Sequence, residues 1–260
     1  MDDSLPKKTL GQHWLNDRAV LESICALAQV NEGDTVLEIG PGLGSLTELL
    51  IEYAGKVVAV ELDSKLISRL QDRFKNEAKL TVENQDIRNF NLGSLPKEYK
   101  VVANIPYYLS SYLIRLLSES LNPPRSAVLL VQKEVAQRLA AMPGKLSLLG
   151  VIAQTYWQVE LGSIVGAAMF TPPPKVDSQL VKLSRRDTPL YPSGLEKEYL
   201  SIVKAGFSQK RKTLVNNLSQ RLHISKLDAK HLIEPLGLNE LARAQELSIS
   251  QWAELTLNIS

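Results

Sequence analysis

The stretch Val36 to Thr47, V-L-E-I-G-P-G-L-G-S-L-T, narrows the possible folds more than any other. Val36, Leu37 and Ile39 form a short apolar run that ends in glycines at alternate positions, Gly40, Gly42 and Gly44. Leu46, Leu49, Leu50 and Tyr53 then recur at helical spacing. A buried strand that turns through glycines into an amphipathic helix is the first unit of a nucleotide-binding α/β sheet. The backbone must turn sharply there, and a ligand must come close where a Cβ would intrude. The spacing is G-x-G-x-G with the acid Glu38 two residues ahead of it, and not the dinucleotide pattern G-x-G-x-x-G. That difference favours a ligand with an adenosine and no pyrophosphate, a description that S-adenosylmethionine (SAM) meets better than NAD.

Further strands are expected at Lys56 to Val60, Leu80 to Glu83 and Val101 to Ala103, with a helix from Ser64 to Phe74 between the first two. These strands deliver Glu61-Leu62-Asp63, Asn84-Gln85-Asp86-Ile87 and Asn104-Ile105-Pro106-Tyr107-Tyr108. Gly40, Glu61, Asp86 and Asn104 therefore gather at the carboxyl edge of one sheet, where open α/β sheets bind their ligands. Glu61 stands where an acid at the end of a second strand accepts ribose hydroxyls. A helix at Tyr112 to Glu119, a buried strand at Ala127 to Val131, and helices at Lys133 to Ala141 and Ser147 to Tyr156 follow. Val159 to Val165 and Val176 to Leu183 suit a final antiparallel pair across the stiff Pro172-Pro173-Pro174.

Asp187 to Gly194 is rich in turn formers, and the pattern beyond it is purely helical: Leu195 to Phe207, Lys210 to Leu222, Ser225 to Leu236 and Ser248 to Leu257. We therefore expect one domain over 1–190, with a basic arm at 1–16, and a second over 191–260. Net charge is only +2, but Phe170 to Lys226 holds eleven Lys or Arg against four Asp or Glu. A local basic excess suits phosphate backbones, and Lys7 and Lys8 add a basic pair near the start. Apolar runs such as Ala127 to Val131 are too short to cross a bilayer, and Met1 to Lys8 has no apolar core of a signal. Cys25 is the sole cysteine, which excludes an internal disulfide and fits a reducing, cytoplasmic setting. On its expected helix it reads as a small buried hydrophobe. His13, His223 and His231 are too scattered to hold a metal.

Asn104-Ile105-Pro106-Tyr107 is the sharpest chemical motif, a [DN]-x-P-Y box at a strand end. The exocyclic amine of adenine is a poor nucleophile because its lone pair is delocalised into the ring. Two acceptors for its hydrogens, the Asn104 amide oxygen and the Ile105 carbonyl, raise electron density on that nitrogen as it attacks. Pro106 fixes the direction of that carbonyl, and Tyr107 offers a face on which a flipped base can stack. Neither a metal nor a covalent intermediate is required, because transfer of a SAM methyl is mainly positioning and electrostatics. Phe170 is a candidate for the base's second face, whereas Tyr108 reads as a packing residue.

With these residues in hand, the whole chain resembles the small-subunit ribosomal RNA adenine N6,N6-dimethyltransferases, the KsgA/RsmA family. The stretches that carry the resemblance include Lys7 to Gln12, Val36 to Thr47, Glu61 to Asp63, Asn84 to Ile87, Asn104 to Tyr107 and Gln132 to Leu139. They continue with F-T-P-P-P-K-V-D-S at Phe170 to Ser178 and F-S-Q-K-R-K-T-L at Phe207 to Leu214, the two most specific. The resemblance implies a Rossmann-like class I SAM-dependent methyltransferase, with a seven-stranded mostly parallel sheet and a small all-helical C-terminal domain. It implies dimethylation of two adjacent adenosines near the 3′ end of small-subunit rRNA, on an immature 30S particle, and nothing demands a dimer. By residue, His13 and Leu15 would line the methionine end of SAM, and Gly40 with Gly42 would pass beneath it. Glu61 would take the ribose hydroxyls with Leu62 beside it, and Asp86 the adenine amine with Ile87 against the ring. Asn104 would border cofactor and target, Tyr107 and Phe170 would sandwich the base, and Lys210, Arg211 and Lys212 would contact rRNA phosphates. The chain departs from the family at His13-Trp14, where Asn-Phe is usual, and after Pro143-Gly144, where the family's turn is longer.

Three other functions compete. A large-subunit rRNA adenine methyltransferase of the macrolide-resistance type shares the glycine loop and the Asn-x-Pro-Tyr box, but the F-S-Q-K-R-K-T-L stretch argues against it. A non-catalytic nucleic-acid-binding factor would not need a chemically competent set of cofactor positions. A small-molecule methyltransferase would have no use for the basic C-terminal region.

Overall fold

In the computed structural model, residues 11–259 are described. Residues up to Ala136 together with Gln158–Arg185 form one compact unit, and Gln137–Trp157 together with Arg186 onward form another. The division differs from the single boundary expected at 190/191, because Gln137–Trp157 leaves the sheet unit. The reason is visible in the second unit's own packing. Val151 is buried among Tyr199, Ile202 and Val203. The Thr155 hydroxyl lies 2.8 Å from that of Tyr199.

The sheet unit begins with β1 (Trp14–Leu15), α1 (Arg18–Ala28), β2 (Thr35–Ile39), α2 (Ser45–Tyr53), β3 (Lys56–Glu61), α3 (Ser64–Arg73) and β4 (Leu80–Asn84). It continues with β5 (Lys100–Asn104), α4 (Ser110–Ser118) and β6 (Ser126–Gln132), and α5 (Lys133–Leu139) begins in it and ends in the second unit. After α6 (Leu148–Tyr156), which belongs to the second unit, come β7 (Trp157–Val165), β8 (Phe170–Thr171) and β9 (Ser178–Arg185). Seven of the strands form one sheet in the order β4-β3-β2-β5-β6-β9-β7. The pairs from β4 through to β6 are parallel, and β9 runs antiparallel to β6. The inner strands are apolar almost without a break, as in Val57–Val60 and Ala127–Val131, because helices cover both faces of such sheets. The Asp17 carboxylate caps α1 by accepting from the Val20 amide at 3.0 Å. That helix buries Leu21, Ile24, Cys25 and Ala28 on one face. Cys25 is the buried hydrophobe expected, and burial pushes its thiol up to about 12.

The strand order reverses between β2 and β5, which puts the loop after β2 beside the end of β5 at the switch point. The three glycines of that loop all have positive φ. Gly44 shows why no side chain is admitted: at φ +84° a Cβ there would lie 2.7 Å from Cε2 of Phe74.

The pairing of β1 with β8 has no counterpart in the sequence reading. It aligns Trp14 with Thr171 and Leu15 with Phe170 in a separate two-stranded ribbon.

The second unit is helical: α6, α7 (Glu196–Gly206), α8 (Leu214–Leu222), α9 (Lys226–Ile233) and α10 (Ile249–Ile259). Its core gathers Tyr199, Val203, Leu214, Leu218, Trp252 and Leu255. Here α8 starts four residues later than its periodicity suggests, because Thr213 caps it by accepting from the Asn216 amide. Lys210, Arg211 and Lys212 consequently sit in an exposed turn ahead of the helix. The buried Asn217 holds that turn, donating from Nδ2 to the carbonyls of Gly206 at 2.6 Å and Gln209 at 3.2 Å.

Candidate active site

One cavity in the sheet unit runs along the carboxyl ends of β2, β3, β4 and β5 and is closed on one side by residues 11–16. It is lined by His13, Leu15, Gly40, Gly42, Glu61, Leu62, Asp86, Ile87, Asn104, Ile105 and Tyr107, so most of the expected site residues meet in one place.

Glu61, at the end of β3, is buried and its carboxylate is held from both sides. Oε2 accepts from the Gly42 amide at 3.2 Å and Oε1 from the Asp63 amide at 2.8 Å. Burial pushes this carboxyl above the usual range, while the two backbone amides oppose the shift. The carboxylate thereby ties the glycine loop to the neighbouring strand. Asp86, just beyond β4, is gripped by Arg88, whose Nε lies 2.9 and 3.0 Å from the two carboxylate oxygens. The Arg88 amide adds a 2.9 Å bond. The guanidinium contact holds Asp86 below the ordinary carboxylate range. Leu62 is exposed and Ile87 is buried.

At the end of β5, Asn104 donates from Nδ2 to the His13 carbonyl at 3.4 Å, which leaves Oδ1 as the amide's acceptor. Ile105 is buried at the cavity wall. The Tyr107 hydroxyl lies 2.7 Å from Oγ of Ser178, and burial pushes its phenol up. Its ring stacks on His13. His13 in turn reaches the Pro172 carbonyl through Nδ1 at 2.7 Å.

Two expectations need correction. Phe170 is only 3% exposed and does not line the cavity. Its pairing with Leu15 across the β1–β8 ribbon draws it into the core with Leu21, Ile24 and Leu180, away from the cavity lining. Tyr108, read as a packing residue, is 58% exposed at the cavity rim. It lies outside the apolar face of α4, which buries Leu113, Ile114 and Leu117. The expected contacts at Lys7 and Lys8 fall outside the described residues. Lys210, Arg211 and Lys212 are exposed in the helical unit.

Three wall residues were missed as site residues. Glu38 is fully buried in β2, its Oε2 has no hydrogen-bond partner among the described residues, and burial pushes its carboxyl up to about 8. An acid inside an apolar strand was the available signal. Trp14 packs on the glycine loop: a Cβ on Gly42 would lie 3.5 Å from its Cδ1. Arg88 gave no sequence signal, since its role depends on the turn that brings it back onto Asp86. Among the described residues no cluster of three or more His, Cys, Asp or Glu is placed to hold a metal ion. Among them, too, no helix is long and apolar enough to cross a membrane.

The family model described as ribosomal RNA adenine dimethylase matches residues 4–260. Among curated relatives, the ribosomal RNA small subunit methyltransferase A of Dehalococcoides mccartyi strain CBDB1 is 41% identical, over 96% of this chain and 87% of its own. The protein of that name from Syntrophus aciditrophicus is 38% identical, over 99% of this chain and 95% of its own. Among solved structures, a dimethyladenosine transferase from Plasmodium falciparum superposes with a TM-score of 0.80 at 29% identity, covering 94% of this chain and 96% of its own. The 23S rRNA methyltransferase ErmE follows with a TM-score of 0.77 at 26% identity, covering 94% and 98%. A seven-stranded methyltransferase sheet, a strand-end Asn-x-Pro-Tyr box and a family match over nearly the whole length lead to one conclusion: the chain belongs to the ribosomal RNA adenine dimethylase family.

Proposed function

We propose that this protein dimethylates N6 of two adjacent adenosines near the 3′ end of small-subunit rRNA, acting on an immature 30S particle in the cytoplasm. The observation that carries the reading is the convergence of Asn104 and Ile105 on the same cavity edge as Glu61 and Asp86. Methyltransferases of this family use SAM. The residues present fit it, since a doubly anchored carboxylate, a second carboxylate and a side-chain-free glycine turn lie along one cavity. When bound, SAM supplies an electrophilic methyl on a sulfonium.

The remaining work falls to this chain's own groups. Glu61 accepts the ribose hydroxyls, its orientation set by the Gly42 and Asp63 amides. Asp86 accepts from the adenine amine of the cofactor, beside Ile87 and Leu62. Gly40 and Gly42 leave room for the methionine end, which His13 and Leu15 border. Oδ1 of Asn104 and the carbonyl of Ile105 accept the two amino hydrogens of the target adenine and hold its nitrogen lone pair toward the methyl. Tyr107 supports one face of the flipped base. Phe170 supports the ribbon that seats Leu15 rather than the base itself. The helical unit, with Lys210, Arg211 and Lys212 exposed on its turn, engages rRNA phosphates.

The kinship with ErmE favours a second reading, a large-subunit substrate. The small-subunit reading is preferred because the curated relatives at 36–41% identity carry that name. Incubation of unmodified 30S and 50S particles with SAM, followed by mass spectrometry of the rRNA nucleosides, decides between them. Dimethyladenosine is expected in 30S rRNA alone. Its appearance only in 50S rRNA, or in neither, refutes the reading.

A further inference from the structure

Two exposed tyrosines, one lining the cavity and one on the helix that follows it, are left without a purpose by the proposed chemistry. Tyr108 is 58% exposed and Tyr112 is 41% exposed. They are four residues apart in sequence, on two consecutive elements. Tyr108 belongs to the 3-10 turn Tyr107–Leu109 that follows the Asn-Pro-Tyr box, and Tyr112 lies in the first turn of α4. The first ring therefore lines the cavity that Asn104 also lines, and the second lies outside that lining on the helix that follows. Arg88 lines the same cavity as Tyr108, is itself half exposed, and is close enough for its charge to interact with both phenols. Gly11 packs on the near side of Tyr108, where a Cβ would lie 3.5 Å from Cδ1. Exposed aromatic rings joined by cationic side chains form the surface on which single-stranded nucleic acid stacks.

We propose that Tyr108 and Tyr112 form a stacking platform for the unpaired nucleotides that flank the target adenosine, with Arg88 at its edge. The proposal rests on the rRNA reading above and deepens it by assigning the path of the RNA strand outside the cavity. Flipping one base breaks its stacking with its neighbours, and a flat aromatic surface next to the cavity replaces part of that lost contact. Because every base has a π-face, the platform tolerates either neighbour sequence and leaves selection of adenine to Asn104 and Ile105.

The test compares three proteins on unmodified 30S particles: wild type, Tyr108→Leu/Tyr112→Leu and Tyr108→Phe/Tyr112→Phe. Leucine removes the flat ring and phenylalanine keeps it. The leucine pair is expected to raise KM for 30S by about tenfold or more, with the loss falling on KM more than on kcat. The phenylalanine pair is expected to stay within about twofold of wild type. Calorimetric affinity for SAM and the thermal midpoint are measured on all three proteins. A leucine pair with an unchanged KM overturns the platform, as does a KM rise matched by an equal loss of SAM affinity, which would make Tyr108 a cofactor wall instead. If wild type methylates no 30S rRNA, the functional reading fails first and the platform with it.

Discussion

The imidazole of His13 lies over the ring of Tyr107, with centroids 5.8 Å apart and planes 22° from parallel. Its Nδ1 donates to the Pro172 carbonyl at 2.7 Å, across 159 residues of chain. One side chain thus joins the segment before β1, the Asn-Pro-Tyr box and the proline stretch. His13→Ala removes a hydrogen bond worth about 1 kcal/mol and a ring contact worth about 0.5–1.5 kcal/mol. The expected result is a lower thermal midpoint and a kcat reduced about tenfold as Tyr107 loses its support. His13→Asn can still donate but cannot stack. It should recover the stability more fully than the kcat. Equal recovery of both would assign the role of His13 to the hydrogen bond alone.

Asn104 separates transfer from cofactor binding. Its Oδ1 is the acceptor proposed to raise electron density on the target nitrogen, whereas the anchors proposed for the cofactor lie on other strands. Asn104→Ala should lower the single-turnover rate about 100-fold or more, the usual scale for removing a positioned transition-state partner. SAM affinity by calorimetry should stay largely intact. Near-normal turnover in this variant would remove Asn104 from the mechanism.

Glu61 should show the opposite pattern. Its two oxygens already accept from Gly42 and Asp63, so the carboxylate is fixed before any ligand arrives. Glu61→Ala loses the proposed ribose acceptors and also releases the glycine loop. A loss of about 1.5–3 kcal/mol, or about 10- to 150-fold in SAM affinity, follows for a hydrogen bond to a charged group. Titration calorimetry reads this directly. An unchanged dissociation constant would show that the ribose lies elsewhere.

Glu38 sets a pH dependence of stability. Its carboxyl is pushed from 4.5 up to about 8 by burial. The native state therefore keeps a proton that the unfolded chain releases above about pH 4.5. This contribution is complete below that pH and is lost as pH rises through about 8, with a slope of up to about 1.4 kcal/mol per pH unit. Asp86 is shifted the other way by Arg88, so its contribution is present above the ordinary Asp value and lost in acid, outside this window. Glu38→Gln should flatten the change in urea midpoint between pH 5 and 8. A wild-type midpoint that does not fall across that range contradicts the assignment.

The features legible in the sequence were those with short-range causes. Periodicity gave the strands that lead to Glu61, Asp86 and Asn104, and the glycine loop announced the turn that faces them. Features that depend on distant partners were not legible. The β1–β8 ribbon involves two residues on each side and leaves no periodic trace, yet it moves Phe170 from the proposed base-binding face into the core. Tyr108 and Tyr107 are adjacent and chemically alike, and only the fold sets one against Ser178 and the other in solvent. Gln137–Trp157 reads as the end of one helix and the whole of the next within the sheet domain until Thr155 and Val151 are seen packed on Tyr199. At Lys210–Lys212 helical periodicity ran on past a real boundary, because Thr213 caps α8 and Asn217 pins the preceding turn.

That turn yields a prediction that does not involve the cavity. Lys210, Arg211 and Lys212 are exposed, and none of them forms an ion pair in the structure among the described residues. Their charge stabilises nothing internal, so its removal should leave folding and SAM affinity as they are. Each cation that meets a phosphate releases condensed counterions, which makes the salt dependence of binding a count of such contacts. Replacing all three by Ala should therefore weaken binding to 30S particles at low salt and reduce the slope of log K against log salt by about 2. At high salt the variant and wild type should converge, because screening removes what the substitution removed. A parallel shift with an unchanged slope would mean that the turn contributes shape and not charge, and that the rRNA backbone crosses the helical unit by another face.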